Sequence, residues 1–515
     1  MKSHVLMAVS LLPNAMIAPQ AIAQENAKKN IVFIAVDDLK PLLGCYGDKV
    51  AITPNIDALA KSGVVFTNAY CQQAVSGPSR ASLLTGMCPD RTQVWDLKTL
   101  IRSKNPDVVT LPQYFKENGY ETAGIGKIYD PRSVDKDYDV SSWSVPFIDA
   151  TSYMDKNYPE PLLGHYQSEE VKKDVEKYKR ELESKGLKPR KLNNEIMKLV
   201  KPSTESAEVP DDAYFDGGVA NGAVEYLKKA DKKKPFMLAV GFKKPHLPFC
   251  APKKYWNLYK RADMPLANYR KKAEGSPDFA YHKSGELNSY TDIPSLISFS
   301  DIDNVILPDS KAKELIHGYY SAISYTDAQV GKVLAELKKQ GLDKNTIIVL
   351  WGDHGWHLGD HGLWNKHSNF EQATHVPMII VDPSQKGKEV KAPAEFLDIY
   401  PTLCDMAGLE IPKHLDGESL VPVMTGEDAK GGYAASQYPR VNKMGYSIRT
   451  ERYRYTVWVD WKDKVINSDK VYAEELYDYE KDPDETKNLM KDPAYAGVVK
   501  TMKANWEDYK TKRLK

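Results

Sequence analysis

Two pairs of polar residues close apolar runs in this sequence: Asp37-Asp38 follows the run at 31–36, and Asp353-His354 follows the run at 346–352. Brought to one edge, three carboxylates and an imidazole would repel unless a cation sat among them. Oxygen dominance favours Ca2+ or Mg2+ over zinc, while the nearby His357 and His361 keep zinc open. A third stretch, Ser76-Gly77-Pro78-Ser79-Arg80, reads as a helix start with Pro78 in the first turn. Ser76 would then lie beside unpaired backbone N–H groups, and Arg80, one turn on, would add a cation to the same face. Together they describe a place to hold an oxyanion. Taken alone, those five residues read more simply as an ordinary capped helix.

Elements must bring these residues together. The apolar runs at 31–36, 122–125, 236–240, 347–350 and 376–381 read as strands covered on both faces. Helical patterns at 55–61, 111–118, 212–229 and 311–339 lie between them. This alternation predicts an α/β fold with a mostly parallel sheet, whose sites gather at the C-terminal ends of the strands. The heavily charged stretch at 166–201 reads as a solvated helical insert, and 275–308 reads as loop. After about residue 424 the pattern changes to short strands at 432–437, 446–450, 453–459 and 475–479, then a helix at 495–512. We therefore expect a catalytic domain at 24–424 and a smaller subdomain at 425–515, built on a short antiparallel sheet.

The 515 residues suffice for a large core, and 71 basic against 70 acidic residues leave a net charge of +1. No global field argues for nucleic acid or an anionic membrane, so an anionic substrate must be met locally. Lys2, an apolar run at 5–17 and Ala21-Ile22-Ala23 fit a cleavable secretory signal at 1–23, too short for a membrane span. The chain is expected to be exported: periplasmic if bacterial, secreted or lysosomal if eukaryotic. Five cysteines without a CxxC pair define no disulfide framework.

The longer string Ser76-x-Pro78-Ser79-Arg80-x-Ser82-Leu83-Leu84-Thr85-Gly86 resembles the signature of the sulfatases. In that family the first residue, cysteine or serine, is converted to formylglycine. The resemblance implies an alkaline-phosphatase-like fold, a serine-type member matured by a sulfatase-maturating enzyme, and one Ca2+ per chain. Asp37, Asp38, Asp353 and His354 match the metal positions, with formylglycine from Ser76 as the last ligand. Gly126-Lys127 and the lysine of Gly362-Leu363-Trp364-Asn365-Lys366 match sulfate-binding positions. His246, in Lys244-Pro245-His246-Leu247-Pro248-Phe249, matches a histidine near the leaving oxygen. One departure concerns the histidine that usually follows the Gly-Lys lysine: Gly126-Lys127-Ile128-Tyr129-Asp130 has none, and Asp130 stands in its place.

Strings such as Ser436-Gln437-Tyr438-Pro439-Arg440 and Met444-Gly445-Tyr446-Ser447-Ile448-Arg449-Thr450 resemble the branch of the family that acts on 2-O-sulfated iduronate. The implied substrate is a uronate 2-O-sulfate at the end of a heparan- or chondroitin-type saccharide. The implied mechanism uses the aldehyde hydrate at residue 76, made more acidic by metal and Arg80, to attack sulfur. Lys127 and Lys366 neutralise the sulfate, His246 protonates the sugar oxygen, and Asp130 takes the proton when sulfate leaves. A uronate brings a second anion, for which Arg440 and Lys98 are candidates and Arg449, within an expected strand, a weaker one. Two other readings stand beside this one. One is a phosphatase or phosphodiesterase using unmodified Ser76 and two metals; the other is a catalytically silent sulfated-glycan-binding protein.

Overall fold

The computed structural model describes residues 28–294, 307–427 and 432–514, so the expected signal at 1–23 lies outside the described residues. Seven strands form the main sheet. In spatial order they are Lys388–Val390, Val64–Phe66, Met378–Val381, Thr346–Gly352, Asn30–Val36, Phe236–Phe242 and Glu121–Gly126. The pairings are parallel except at Met378–Val381, which runs antiparallel to both neighbours. The expected run at 376–381 is therefore a strand, but of the opposite direction. Its pattern could not reveal this, because a short apolar run reads the same either way.

Alternation along Asn30–Val36 divides the core in two. Val32, Ile34 and Val36 pack on one face with the helices Pro54–Ser62, Phe215–Lys229 and Asp309–Lys339. Ile31, Phe33 and Ala35 pack on the other with Ser76–Thr85, Leu111–Glu117 and Ile399–Met406. Each expected helix forms within three residues of its predicted ends.

The charged stretch at 166–201 is a helical hairpin, Glu169–Ser184 and Pro189–Leu199, and it is not merely solvated. Val171, Val175, Leu192, Ile196 and Val200 form a small core with Tyr214, Tyr255 and Trp256. Lysines and glutamates occupy the other turns, which hid the thin apolar stripe.

The C-terminal sheet is antiparallel: Ala434–Arg440, Lys443–Arg449, Tyr453–Lys462 and Val465–Asp478, followed by the helix Ala496–Arg513. Its last strand begins ten residues before the expected 475, because 465–472, with the polar run Asn467-Ser468-Asp469-Lys470 at its centre, extend a largely exposed hairpin beyond the core. Ala435, Tyr446, Ile448, Tyr455, Val457 and Leu476 pack against Met502, Trp506 and Tyr509 of the helix. The first strand also grips the loop before Ser76: Gln437 N donates to Gln72 O at 2.7 Å, and Ser436 Oγ to Cys71 O at 2.6 Å.

Candidate active site

Parallel register brings the polar pairs together. Val36 lies opposite Phe242 on one side and Gly352 on the other, and Gly126 lies opposite Gly241. The residues that follow these strands, Asp37, Lys243, Asp353 and Lys127, therefore emerge at the same sheet edge. Consecutive strand side chains would normally point apart, but Asp38 has a left-handed backbone, φ 57°, so both carboxylates turn inward. The long helix holds that turn: Tyr319 Oη donates to Asp38 O at 2.6 Å. Gly126, φ 76°, admits no side chain, since a Cβ would come 2.1 Å from Gly241 O. Lys127 N then donates to that same oxygen at 2.8 Å.

The Ser76–Thr85 helix is buried along its whole length. Ser76 Oγ donates to Asp37 Oδ1 at 3.1 Å, stands 3.2 Å from His354 Nε2 and accepts from Lys127 Nζ at 3.5 Å. Arg80 does follow on the same face, yet it is no free cation for an oxyanion. It bonds Asp353 Oδ2 at 2.9 Å, Asp37 Oδ1 at 3.2 Å, Ile128 O at 3.0 Å and the Lys127 carbonyl. It ties both strand-end carboxylates to the Lys127 loop.

A second row lies beyond Asp38. Lys366 Nζ meets Asp38 Oδ2 at 3.1 Å and Glu286 Oε2 at 2.9 Å, and sits 4.7 Å from the Trp356 ring centroid. His246 Nε2 stands 3.1 Å from Glu286 Oε1 and 3.8 Å from Asp38 Oδ2. Burial, and then the Lys366 charge, push the His246 imidazole down to about 4, against the pull of Glu286 and Asp37. Its nitrogens nonetheless face two acceptors, Leu247 O at 2.6 Å and Glu286, an arrangement that only a protonated ring satisfies fully.

One donor atom from each of Asp37, Asp38, Asp353 and His354 lies within 4.8 Å of all the others. Burial raises Asp38 well above the usual carboxylate range. Lys366 opposes this shift, and Asp37, Glu286 and Asp353 reinforce it. Burial would raise Asp37 as well, but Lys127, His246 and Arg80 hold it well below that range. With the His246 imidazole neutral, as its lowered pKa has it, Asp37, Asp38, Asp353 and Glu286 are four carboxylates against three cations, Arg80, Lys127 and Lys366, leaving one negative charge over. A divalent cation at the four donors would turn that excess to one positive charge, which a sulfate monoester anion would balance. The oxygen-rich donor set thus fits a hard divalent ion.

The centre opens into a cavity of about 320 Å³ lined by Asp37, Lys127, Asp130, Arg132, Lys243 and His246 among others. Asp130 is held below the usual range: burial would raise it, but Arg132 and Lys127 prevail. Arg132 grips it through Nε at 2.9 Å and Nη2 at 2.7 Å. The other expected substrate contacts lie elsewhere. Lys98 is exposed in a turn closed by Asp96. Arg449 pairs with Glu371 at 3.2 Å and stacks on Tyr479. Arg440 spends its guanidinium on the carbonyls of Phe279, Pro439, Ala280 and His367, which leaves it little to offer a uronate.

Sequence reasoning missed Glu286, which comes from the stretch read as loop; part of that stretch, 295–306, is outside the described residues. No spacing marks it. The lead-in to the insert was missed too, since Pro161, Gly164 and His165 line the cavity. Lys243 could have been found, because it adjoins the string that carries His246.

The family model described as Sulfatase matches residues 29–409, and one described as N-sulphoglucosamine sulphohydrolase, C-terminal, matches 359–512. Iduronate 2-sulfatase of Mus musculus is 33% identical over 96% of this chain and 97% of its own. Delta 4,5-hexuronate-2-O-sulfatase of Bacteroides thetaiotaomicron is 28% identical over 96% of this chain and 91% of its own. A solved structure described as a 2-O GAG sulfatase superposes with a TM-score of 0.65 at 25% identity, covering 94% of this chain and 92% of its own.

Proposed function

This chain belongs to the sulfatase family and is a sulfuric ester hydrolase, and from that premise we propose that it removes the 2-O-sulfate from a terminal uronate of glycosaminoglycan saccharides. The uronate is iduronate or its unsaturated counterpart, in heparan- or chondroitin-type chains. The names of the relatives support the substrate class. The observation that carries the chemistry is the position of Ser76 Oγ, bracketed by Asp37, His354 and Lys127 at one sheet edge. The cavity volume of about 320 Å³ is at the small end for ligand sites and suits one terminal sugar ring.

Formylglycine from Ser76 would supply an oxygen nucleophile, and Ca2+ held by Asp37, Asp38, Asp353 and His354 would supply charge neutralisation. Lys127, beside Asp37, and Lys366, beside Asp38, take the sulfate oxygens. His246 delivers its proton to the departing sugar oxygen, and Glu286 at 3.1 Å keeps that proton in place beforehand. Asp130, 4.0 Å from Lys127 Nζ, takes the proton when sulfate departs, in the role of the histidine that this sequence lacks. Arg80 positions the carboxylates. The reading also carries export of the chain and its conversion by a maturating enzyme.

Asp38, His246 and Glu286 form a second group of possible metal donors, as a two-metal phosphatase would need. The Lys366 ammonium already stands between two of them, which supports a single metal. Mass spectrometry of the peptide carrying residue 76, together with metal content, tests the whole reading. A loss of about 2 Da and one calcium per chain is expected. An unchanged serine with two zincs supports the phosphatase, and an unchanged serine without turnover the silent glycan binder. Release of sulfate from 6-O-sulfated hexosamine in preference to 2-O-sulfated uronate would refute the substrate.

A further inference from the structure

A uronate 2-sulfate carries two anions, and the residues around the cavity offer a specific partner for the second. Four cationic side chains line it: Lys127, Arg132, Lys243 and Lys244. Three are spent. Lys127 pairs with Asp37 at 2.6 Å, Arg132 grips Asp130, and Lys244 Nζ donates to His246 O at 2.9 Å and Pro248 O at 2.5 Å. Lys243 is different: no carboxylate oxygen of the described residues lies within 4.0 Å of its ammonium, and the side chain is exposed to the cavity.

The residue is nevertheless held in place. It is the first residue after the Phe236–Phe242 strand, in register with Asp37 and Asp353. The buried Asp216 carboxylate accepts from the backbone N–H of Lys243 at 2.9 Å and of Lys244 at 2.7 Å. Phe215, the residue before Asp216, places its ring centroid 3.6 Å from the Lys243 ammonium. One dipeptide thus fixes the backbone and supports the charged end, so little ordering remains to be done on binding. A positioned cation without a protein anion is a site for a ligand anion.

We propose that Lys243 binds the uronate carboxylate and is the residue that selects a uronate sulfate over the sulfate of a neutral sugar. This rests on the substrate reading above, and it gives to Lys243 the role expected of Arg440. Lys127 and Lys366 then hold the sulfate while Lys243, beside Phe215, holds the carboxylate of the same ring.

The test compares kcat/KM on a 2-O-sulfated uronate disaccharide and on the same compound with its carboxylate reduced to the primary alcohol. The calcium-loaded, matured enzyme is used, with Lys243→Met, Lys243→Arg and Arg132→Ala. Lys243→Met is expected to lose about 10- to 100-fold on the carboxylated substrate and less than about threefold on the reduced one, mostly in KM. Lys243→Arg should retain most of the parent preference, and thermal melting should be unchanged for both because the side chain is exposed. Equal loss on both substrates, no loss on either, or a preference that follows Arg132 instead would overturn the proposal. A parent that turns over both substrates equally would overturn the carboxylate contact while leaving the 2-O-sulfatase reading intact. A parent that hydrolyses neither but desulfates 6-O-sulfated hexosamine would overturn the substrate reading and this contact with it.

Discussion

Two buried ionic clusters among the described residues differ in whether their charges match. Behind the catalytic edge, Glu371 accepts from Arg449 Nε at 3.2 Å and from Arg454, with His375 at 3.3 Å and Tyr70 Oη at 3.0 Å. Glu485 meets Arg454 at 3.4 Å. Two carboxylates face two guanidiniums, and the cluster joins the turn Glu371–Thr374 to the strands Lys443–Arg449 and Tyr453–Lys462. Burial would raise Glu371, but Arg449, Arg454 and His375 hold it below the usual range. At the catalytic edge the carboxylates outnumber the cations and Asp38 is pushed up instead. A matched cluster makes a joint; an unmatched one marks where the protein expects a further charge.

The largest expected effect is at the unmatched cluster. Ser76→Ala should lower kcat for sulfate release by at least about 10⁴-fold with the fold intact by circular dichroism. Appreciable turnover by that variant would sink the proposed nucleophile.

At the matched cluster the same logic predicts damage to stability and not to chemistry. Glu371→Gln leaves two guanidiniums without their shared anion and should cost about 3–5 kcal/mol in urea unfolding, with kcat changed less than about threefold. The pH dependence has a definite sign. The folded Glu371 pKa is depressed, so its contribution is fully present above the unfolded value, 4.5, and is lost as pH falls below it. The variant should therefore show a shallower loss of stability below pH 4.5. An unaltered slope would count against the joint.

A smaller change is expected at the cavity wall. Asp130→Asn should slow steady-state turnover by about tenfold and leave the first sulfate transfer nearly unchanged, giving a burst in rapid-quench measurements. A parent-like steady state without a burst would remove Asp130 from proton transfer.

The smallest effect is the one that most sharpens the contrast. Because folding raises the Asp38 pKa, ionised Asp38 costs stability in the absence of a metal. Asp38→Asn should stabilise the metal-free protein by about 1 kcal/mol, a rise of a few degrees in Tm, and abolish the stabilisation by calcium. Destabilisation of the metal-free variant would mean that the two clusters do not differ as described.

Sequence alone determined much of this protein, where local physics suffices. Continuous apolar runs dictated doubly covered strands, and the 3.6-residue patterns dictated the helices between them. The residue order fixed Asp37-Asp38, Asp353-His354, Ser76 and Lys127 at the ends of elements, so the parallel register could only gather them. Tertiary structure decided what depends on contacts between distant segments. Glu286 reaches Lys366 and His246 from a stretch without periodicity, and Arg80 is consumed by partners 43 and 273 residues away. Met378–Val381 is reversed by pairing that its own residues do not encode. Lys243 and Arg440 are alike as sequence symbols, but Arg440 lies among backbone carbonyls that absorb its hydrogen bonds, while Lys243 faces an aromatic ring and an open cavity. Which cation stays free is set by the geometry of its neighbours, and no local pattern carries that information.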